Sequence, residues 1–382
     1  MGIGTVLRSR KAFRPASRGE AALSGCYLRI GVLVLAAAIA TSVPMRTPAQ
    51  DTTQPSTPAT QEETPTAPKG LRVRVEVVNV PVSVLNKRGL PVIDLTRDNF
   101  QVYEDGVLQN IKYFNRETQQ PLRIGIVLDT SNSARRQLSF EKDAASEFLY
   151  NMLRGGSKNQ AFLQTFDATS SIVQDFTPDA DLLNEKIQEL KSGGGKALYD
   201  AIYSACREKM MKAGRPEETR RVLLVISDGL DVQSQHTLDE AVSMARRAET
   251  MIYTISIAAY GYSNPGDKLL ELLAHDTGGA PSFPLRYAPG ADLGTGYLSH
   301  GQIGETSQNK GLGAETGAFS AERMVRIADS LESIGHELNE QYELGYTPTR
   351  TALDGTYRSI KVVVDRRGAS LRCKPGYFAA AE

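Results

Sequence analysis

Two short polar loops, each directly after an apolar run, carry residue types that could bind a cation. Asp129, Ser131 and Ser133 follow one such run, and Asp228 follows another. Carboxylates and hydroxyls are the hard oxygen ligands that Mg²⁺ prefers, and Mg²⁺ keeps waters that a further ligand can replace. The alternative is that Asp129 and Asp228 only cap the helices that follow them. Two such loops after two separate strands favour a shared site.

The elements that must position these loops are predicted by the pattern of apolar residues. From Pro121 onward, short β-rich apolar runs alternate with longer stretches of helical spacing, which is typical of a parallel sheet with crossover helices. Strands are predicted at 124–128, 161–166, 222–226 and 251–257. Because the carboxyl ends of parallel strands meet at one edge of an open sheet, the polar loops should converge there. The sequence therefore predicts an α/β domain over 121–341 with a doubly wound, mostly parallel, Rossmann-like sheet.

The same loops resemble those of a known family. Asp129-Thr-Ser131-Asn-Ser133 matches the Asp-x-Ser-x-Ser signature of von Willebrand factor type A (VWA) domains, and residues 227–229, Ser-Asp-Gly, match their last metal-site loop. Over roughly 71–378 the chain resembles exported VWA-related proteins of the acidobacterial type. The segments that carry this wider resemblance are 79–84, 98–106, 197–202, 341–346 and 376–377. The resemblance implies a VWA fold and a role in binding another protein.

A third polar loop, which lies between the other two in the sequence and is called the second loop, is Ser192-Gly-Gly-Gly-Lys196. It departs from this family at its last position. By the resemblance, a working VWA metal site has a Thr there whose hydroxyl binds the ion, whereas this sequence has Lys196. An ammonium has no lone pair to give to a metal. If Lys196 turns inward, it lies between the two aspartates and replaces Mg²⁺; if it points to solvent, the ion stays with four oxygen groups and water. The predicted, degenerate metal site consists of Asp129, Ser131, Ser133 and Asp228.

The carboxyl-end edge of the sheet, with its three loops, is called the rim below. Four rim residues are predicted to contact a partner protein: Lys196, Asp231, Tyr260 and Tyr262. The two tyrosines follow the last predicted strand, where exposed aromatic rings suit a protein contact. The alternative is that one of them packs on a neighbouring segment. An acidic residue of the partner would fill an open metal position.

The sequence lacks the motifs of common enzyme classes. Residues 193–196 look like part of a phosphate-binding loop, but Leu190 and Ala197 stand where that loop needs Gly and Ser or Thr. No Gly-x-Ser-x-Gly elbow and no paired zinc-binding histidines are present. Residues 51–382 carry 37 basic and 43 acidic side chains, so a nucleic-acid partner is not expected. A non-enzymatic protein without a small-molecule substrate is predicted.

The first seventy residues are predicted to be a leader and a tether. Residues 1–50 have a basic start, a fourteen-residue apolar run at 30–43 and a small-residue segment after it, which is typical of a secretory signal peptide. The run falls short of the ~20 residues of a spanning helix, and a retained membrane anchor is the alternative. Both predict export to the periplasm or the exterior. The Thr-, Pro- and Gln-rich segment 51–70 is predicted to be a disordered linker.

Strand-like alternation flanks the α/β domain on both sides. Residues 71–118 and 342–382 are predicted to pair in one β-sandwich, with a hairpin formed by 100–106 and 110–114. The glycine-rich segment 284–320 is predicted to be a flexible insertion, either disordered or a binding loop. The predicted function is an exported protein-binding or adhesion module that uses the rim. The alternative is an envelope scaffold that contacts partners through its β flanks.

Overall fold

The computed structural model describes residues 77–116, 120–155, 158–216, 218–258, 264–285 and 317–380. The predicted leader 1–50, the predicted linker 51–70, Tyr260 and Tyr262 lie outside these residues, as does most of the predicted insertion. No helix within the described ranges is both long and apolar enough to cross a membrane.

The described residues form fourteen strands and six α-helices. The strands are β1 Val78–Leu85, β2 Phe100–Glu104, β3 Val107–Gln109, β4 Ile111–Asn115, β5 Leu122–Asp129, β6 Gln160–Phe166, β7 Ser170–Thr177, β8 Arg220–Ser227, β9 Thr250–Ser256, β10 Pro281–Ser282, β11 Tyr342–Tyr346, β12 Tyr357–Val364, β13 Ser370–Cys373 and β14 Gly376–Phe378. The helices are α1 Leu138–Met152, α2 Ala180–Gln188, α3 Leu198–Ser204, α4 Leu238–Arg247, α5 Pro265–Thr277 and α6 Gly317–Asn339. Since α6 begins at Gly317, the last four residues of the predicted insertion 284–320 are helical.

The central sheet has six strands in the order β10-β9-β8-β5-β6-β7. Its strands pair in parallel except for β7, which pairs antiparallel with β6 at one edge. The chain therefore runs outward from β5 in both directions, as the doubly wound, mostly parallel prediction requires. All four predicted strands are present, with ends within two residues of the predicted ones. The predicted fold class is confirmed.

Apolar layers cover both faces of this sheet. On β5, Ile126 and Leu128 lie in the core that α1, α2 and α6 cover, whereas Val127 lies in the core that α3, α4 and α5 cover. Side chains of the neighbouring strands fill the space at Gly125, where an added Cβ would lie 2.4 Å from a Leu223 side-chain carbon. A strand buried on both faces reads as a continuous apolar run because neither set of side chains meets water. The two layers hold the strand ends, and hence the rim, in fixed positions.

The flanks form two four-stranded sheets that face each other. Their strand orders are β13-β1-β11-β4 and β14-β12-β2-β3, so each sheet combines strands from both flanks of the α/β domain. A separate apolar core lies between them, with Val80 and Tyr342 on one sheet and Val102 and Val362 on the other. The β-sandwich-like flanks of the predicted fold are present.

The predicted hairpin partner of β2 was wrong. The strand β2 turns at Asp105 and Gly106, which both have positive φ, and pairs with β3 at once. Such a two-residue turn matches the twist of the strands it joins. Residues 111–115 instead form β4, which pairs with β11 in the other sheet. The turn was predicted after residue 106, whereas it lies at residues 105 and 106.

The sandwich contacts the amino end of the central sheet. Arg220, the first residue of β8, donates to the carbonyl of Leu338 at 2.6 Å and to Oε1 of Gln341 at 2.9 Å. Gln341 in turn donates to Oγ of Ser83 on β1 at 3.0 Å. These contacts lie at the opposite end of β8 from the predicted site residues.

Candidate functional site

The first rim loop holds a carboxylate that is wholly buried. Asp129 is the last residue of β5, and its Oδ1 accepts a hydrogen bond from the amide of Ser131 at 3.0 Å. Its Oδ2 accepts from Oγ of Ser227, the last residue of β8, at 2.9 Å. The hydroxyls of Ser131 and Ser133 bond to each other at 3.0 Å. Neighbouring parallel strands therefore present one buried carboxylate with its hydroxyls close by.

The Lys196 ammonium lies between the two aspartates of the rim. Its Nζ is 2.9 Å from Oδ2 of Asp129 and 2.6 Å from Oδ1 of Asp228. The Lys196 side chain is only 5% exposed, and that of Asp228 is 17% exposed. Three loops that are distant in sequence thus meet at one nitrogen. The Lys196 side chain therefore points inward, between the aspartates, and not to solvent.

Glycine geometry brings Lys196 into this position. Gly194 has φ +74°, and a Cβ there would lie 2.9 Å from Cγ of Asp167. The loop is bound to its neighbours through the backbone, since the amide of Gly193 donates to the carbonyl of Thr130 at 2.8 Å. The carbonyl of Lys196 accepts from the amide of Val232 at 3.0 Å. A residue with a Cβ would be strained at 194, which explains the glycine at this position.

The third loop is held against the start of α5. The carbonyl of Asp228 accepts from Nδ2 of Asn264 at 2.7 Å, while Oδ1 of Asn264 caps α5 through the amide of Gly266. Gly229 has φ +78°, and a Cβ there would lie 2.2 Å from the Gly266 carbonyl oxygen. Sequence reasoning missed Asn264 as a rim residue. Its signal was an Asn directly before Pro265, which is typical of a helix start.

The other predicted rim residues have different positions. The Asp231 carboxylate already accepts hydrogen bonds from residues of the same chain. Its Oδ2 accepts from the amide of Tyr199 at 3.1 Å and from Oγ of Ser234 at 2.5 Å. It therefore caps the start of α3, and it makes no recorded contact with Lys196. Tyr260 and Tyr262 are among the residues that the structure does not describe. The sequence placed Ser227 in the third loop, but its hydrogen bond to the Asp129 carboxylate was not predicted.

The donor set, as arranged, does not fit a resident divalent cation. Both carboxylates that would bind Mg²⁺ bind the Lys196 ammonium, and the second loop brings a cation where a metal needs an oxygen. Within the described ranges, no group of three or more His, Cys, Asp or Glu side chains could hold a metal ion. The chemistry that the arrangement supports is electrostatic contact between the two carboxylates and the ammonium.

Apolar side chains stand beside this polar centre. Leu230 and Val232 lie in the third loop and are 39% and 77% exposed. Leu230 is also close to the site through its amide, which donates to Oδ1 of Asp228 at 3.0 Å. The rim thus combines a charged centre with exposed apolar side chains beside it.

Comparison with known proteins gives one family match. Residues 124–230 match the family model of the von Willebrand factor type A domain. No curated protein matches the chain. Among solved structures, the chain is similar to the conserved hypothetical protein BatB from Bacteroides thetaiotaomicron, with 16% identity and a TM-score of 0.35 over 49% of this chain and 99% of that one.

Two further structures are similar at the same level. One is the vWF domain of the type V pili tip protein Mfa5 from Porphyromonas gingivalis, with 15% identity and a TM-score of 0.37 over 48% of this chain and 97% of that one. The other is proximal thread matrix protein 1 from the mussel byssus with a zinc-occupied MIDAS motif, with 15% identity and a TM-score of 0.37 over 44% of this chain and 43% of that one. Residues 124–230, with their parallel strands and Asp-x-Ser-x-Ser loop, therefore match the von Willebrand factor type A domain family.

Proposed function

We propose that this chain is a non-enzymatic protein-binding module that presents the rim of its VWA domain to another protein without a bound metal. In this proposal the ammonium of Lys196 holds the place that a metal ion takes in a VWA site. The observation that carries it is the position of Nζ, within 3 Å of one oxygen from each rim aspartate. The VWA family and the exposed apolar border support a role in protein contact.

A built-in cation has a clear physical role at this place. Two carboxylates from neighbouring strands repel each other, and the repulsion is strong because Asp129 is fully buried. A positive charge between them removes that repulsion and fixes both loops. In a metal site the ion does this only when it is bound, whereas Lys196 does it whenever the chain is folded. The rim is then preorganised for a partner.

The proposal separates two modes of recognition. An open metal position would accept an acidic residue of the partner, which would complete the coordination of Mg²⁺. That contact requires the ammonium to leave, because two cations of this kind do not share one pair of carboxylates. With Lys196 in place, we propose that Mg²⁺ binds weakly or not at all and that the acidic contact is not the one used.

Calorimetric titration with Mg²⁺ tests the proposal. The wild-type chain should show no saturable binding tighter than about millimolar, whereas Lys196→Thr should gain it because threonine restores a hydroxyl ligand. Lys191→Thr is the matched control, since Lys191 is exposed in the segment before the glycines. Tight binding by the wild type, unchanged by Lys196→Thr, would refute metal replacement.

A second candidate is a scaffold that contacts partners through the β flanks. It is favoured by three large apolar side chains, Val107, Leu108 and Tyr113, which are more than half exposed on the outer strands β3 and β4. Outer strands can take up a partner strand. The triple variant Asp129→Asn, Lys196→Met, Asp228→Asn removes the three charges at the centre of the rim together. If it folds and still captures the same envelope proteins as the wild type, the flanks are the contact surface.

We further propose that the protein is exported, on the sequence of residues 1–50. The basic start and the apolar run at 30–43 support a signal peptide, with a retained anchor as the other form. Amino-terminal sequencing of the protein purified from its native cells tests this. A chain that begins after residue 43 indicates cleavage, and an intact leader in a membrane fraction indicates an anchor. An intact leader in the cytosol would refute export.

A further inference from the structure

The charge of the rim centre differs from that of a loaded metal site. Two aspartates with a divalent cation are neutral, whereas Asp129 and Asp228 with one ammonium keep a charge of −1. A partner carboxylate suits the first centre and is repelled by the second. The preferred charge of the partner group therefore changes from negative to positive when lysine replaces the metal.

Neighbouring side chains keep the rim acidic. The Asp167 carboxylate lies against Gly194, and that of Asp231 lies in the third loop. Cations lie on the Ser192 side of the rim: Nε of Arg135 donates to Oγ of Ser192 at 3.3 Å, Nζ of Lys142 donates to the carbonyl of Leu190 at 2.6 Å, and Lys191 is exposed. On the other side, two carboxylates contact the one ammonium of Lys196, and those of Asp167 and Asp231 lie in adjoining loops. An incoming positive charge is favoured.

One oxygen of the centre is placed to receive such a group. Both recorded hydrogen bonds of the Asp228 side chain, from Lys196 and from the amide of Leu230, go to its Oδ1. Within the described part of the chain, Oδ2 of Asp228 has no recorded hydrogen bond, and this side chain is 17% exposed. Asp129, by contrast, is fully buried and uses both of its oxygens. The acceptor that a partner would meet is therefore Asp228.

We propose that the rim binds a lysine or arginine side chain of a partner protein, flanked by apolar residues. The basic group donates to Asp228, and its apolar neighbours cover Leu230 and Val232, whose exposure gives them the contact area. This inference rests on the proposed function, because it assumes that the rim is the binding surface. It differs from it by naming the chemistry of the partner.

A displayed library of short peptides tests the inference. The central position is Lys, Arg, Asp, Glu or Ala, the flanking positions are random, and the full chain is the bait in low salt. Basic central residues should be enriched about ten-fold or more over acidic ones. Asp228→Asn should abolish this preference, and Asp98→Asn, an exposed aspartate of the sandwich, should leave it intact. Lys196→Thr with Mg²⁺ should shift the preference to acidic residues.

The outcomes separate the two proposals. Enrichment of acidic peptides that depends on Asp228 would overturn the basic-partner inference and leave rim recognition standing. A basic preference that persists in Asp228→Asn would overturn it too, because the contact would then lie elsewhere. If no peptide is enriched in a manner that depends on Asp228, both the inference and rim recognition fail.

Discussion

Replacement of Lys196 by methionine should destabilise the fold strongly, although the two side chains have similar length. The change removes the ammonium and leaves the Asp129 and Asp228 carboxylates facing each other. Oδ2 of Asp129 and Oδ1 of Asp228 both contact Nζ of Lys196, at 2.9 Å and 2.6 Å. The distance between these two oxygens is therefore at most the sum of the two contact distances. Two like charges at ~5 Å repel by about 3 kcal/mol at an effective dielectric near 20. Removal of one partner from a buried ion pair costs about 3–5 kcal/mol.

We therefore expect the free energy of unfolding of Lys196→Met to fall by about 3–5 kcal/mol. Urea denaturation measures it, and tyrosine fluorescence with far-ultraviolet circular dichroism reports it, since the chain has 15 tyrosines and no tryptophan. Lys191→Met is the matched control, because Lys191 is exposed and its loss should change stability by no more than about 0.5 kcal/mol.

A second substitution isolates the cause. Adding Asp228→Asn to Lys196→Met removes one of the facing charges and should recover much of the lost stability. Added Mg²⁺ should also stabilise Lys196→Met and leave the wild type unchanged, because only the variant has carboxylates without a cation. If Lys196→Met proves as stable as Lys191→Met, the ammonium does not hold the rim together and the reasoning is wrong.

Three further outcomes are expected. Gly194→Ala should lower the free energy of unfolding by about 1–3 kcal/mol in urea denaturation, because residue 194 has φ +74° and its added Cβ would meet Asp167. Thr237→Ala should cost about 0.5–2 kcal/mol in the same assay, since it removes the capping box that Thr237 forms with Glu240 at the start of α4. Burial raises the pKa of Cys373 from 9.0 to about 11. Alkylation of this thiol should therefore be slow at pH 8 and become faster as the pH approaches 11. The stability that the neutral thiol contributes is complete below pH 9 and is lost as the pH rises through 11.

The central sheet could be predicted because its signal is local. A strand buried on both faces needs an unbroken apolar run, and the runs at 124–128 and 222–226 became β5 and β8. The convergence of the loops followed from the rule that parallel strands end at one edge. The capping box at Thr237 is a local signal too, since its two partners, Thr237 and Glu240, are three residues apart.

The errors arose where local signals competed. Thr177-Pro178 is typical of a helix start, but Asp179 is the N-cap of α2 and accepts from the amide of Leu182 at 3.0 Å. Asp179 and Thr177 are both good caps, and the helix begins where its apolar face first reaches the core. The hairpin error had a similar cause, because Asp105-Gly106 was included in a strand although it is a preferred two-residue turn.

Contacts between distant residues could not be read from the sequence. The bond from Ser227 to Asp129 joins residues 98 positions apart, and that from Asn264 to Asp228 joins the third loop to a helix start. Asp231 looked like a free rim carboxylate because it follows Asp228 so closely. Its hydrogen bonds to Tyr199 and Ser234 depend on the place of α3, which no local pattern reports.

The covalent attachment of its cation gives this rim different properties from a metal site. A bound metal can leave, and its coordination shell can exchange a water for a partner oxygen, so affinity then depends on the ion concentration. The Lys196 ammonium has three donors and no coordination shell, and its loop is fixed by the amides of Gly193 and Val232. The centre therefore cannot gain affinity by ligand exchange. Under the proposed function, recognition comes from the charge that remains on Asp228 and from the apolar area beside it, so we expect binding to respond to salt rather than to chelators.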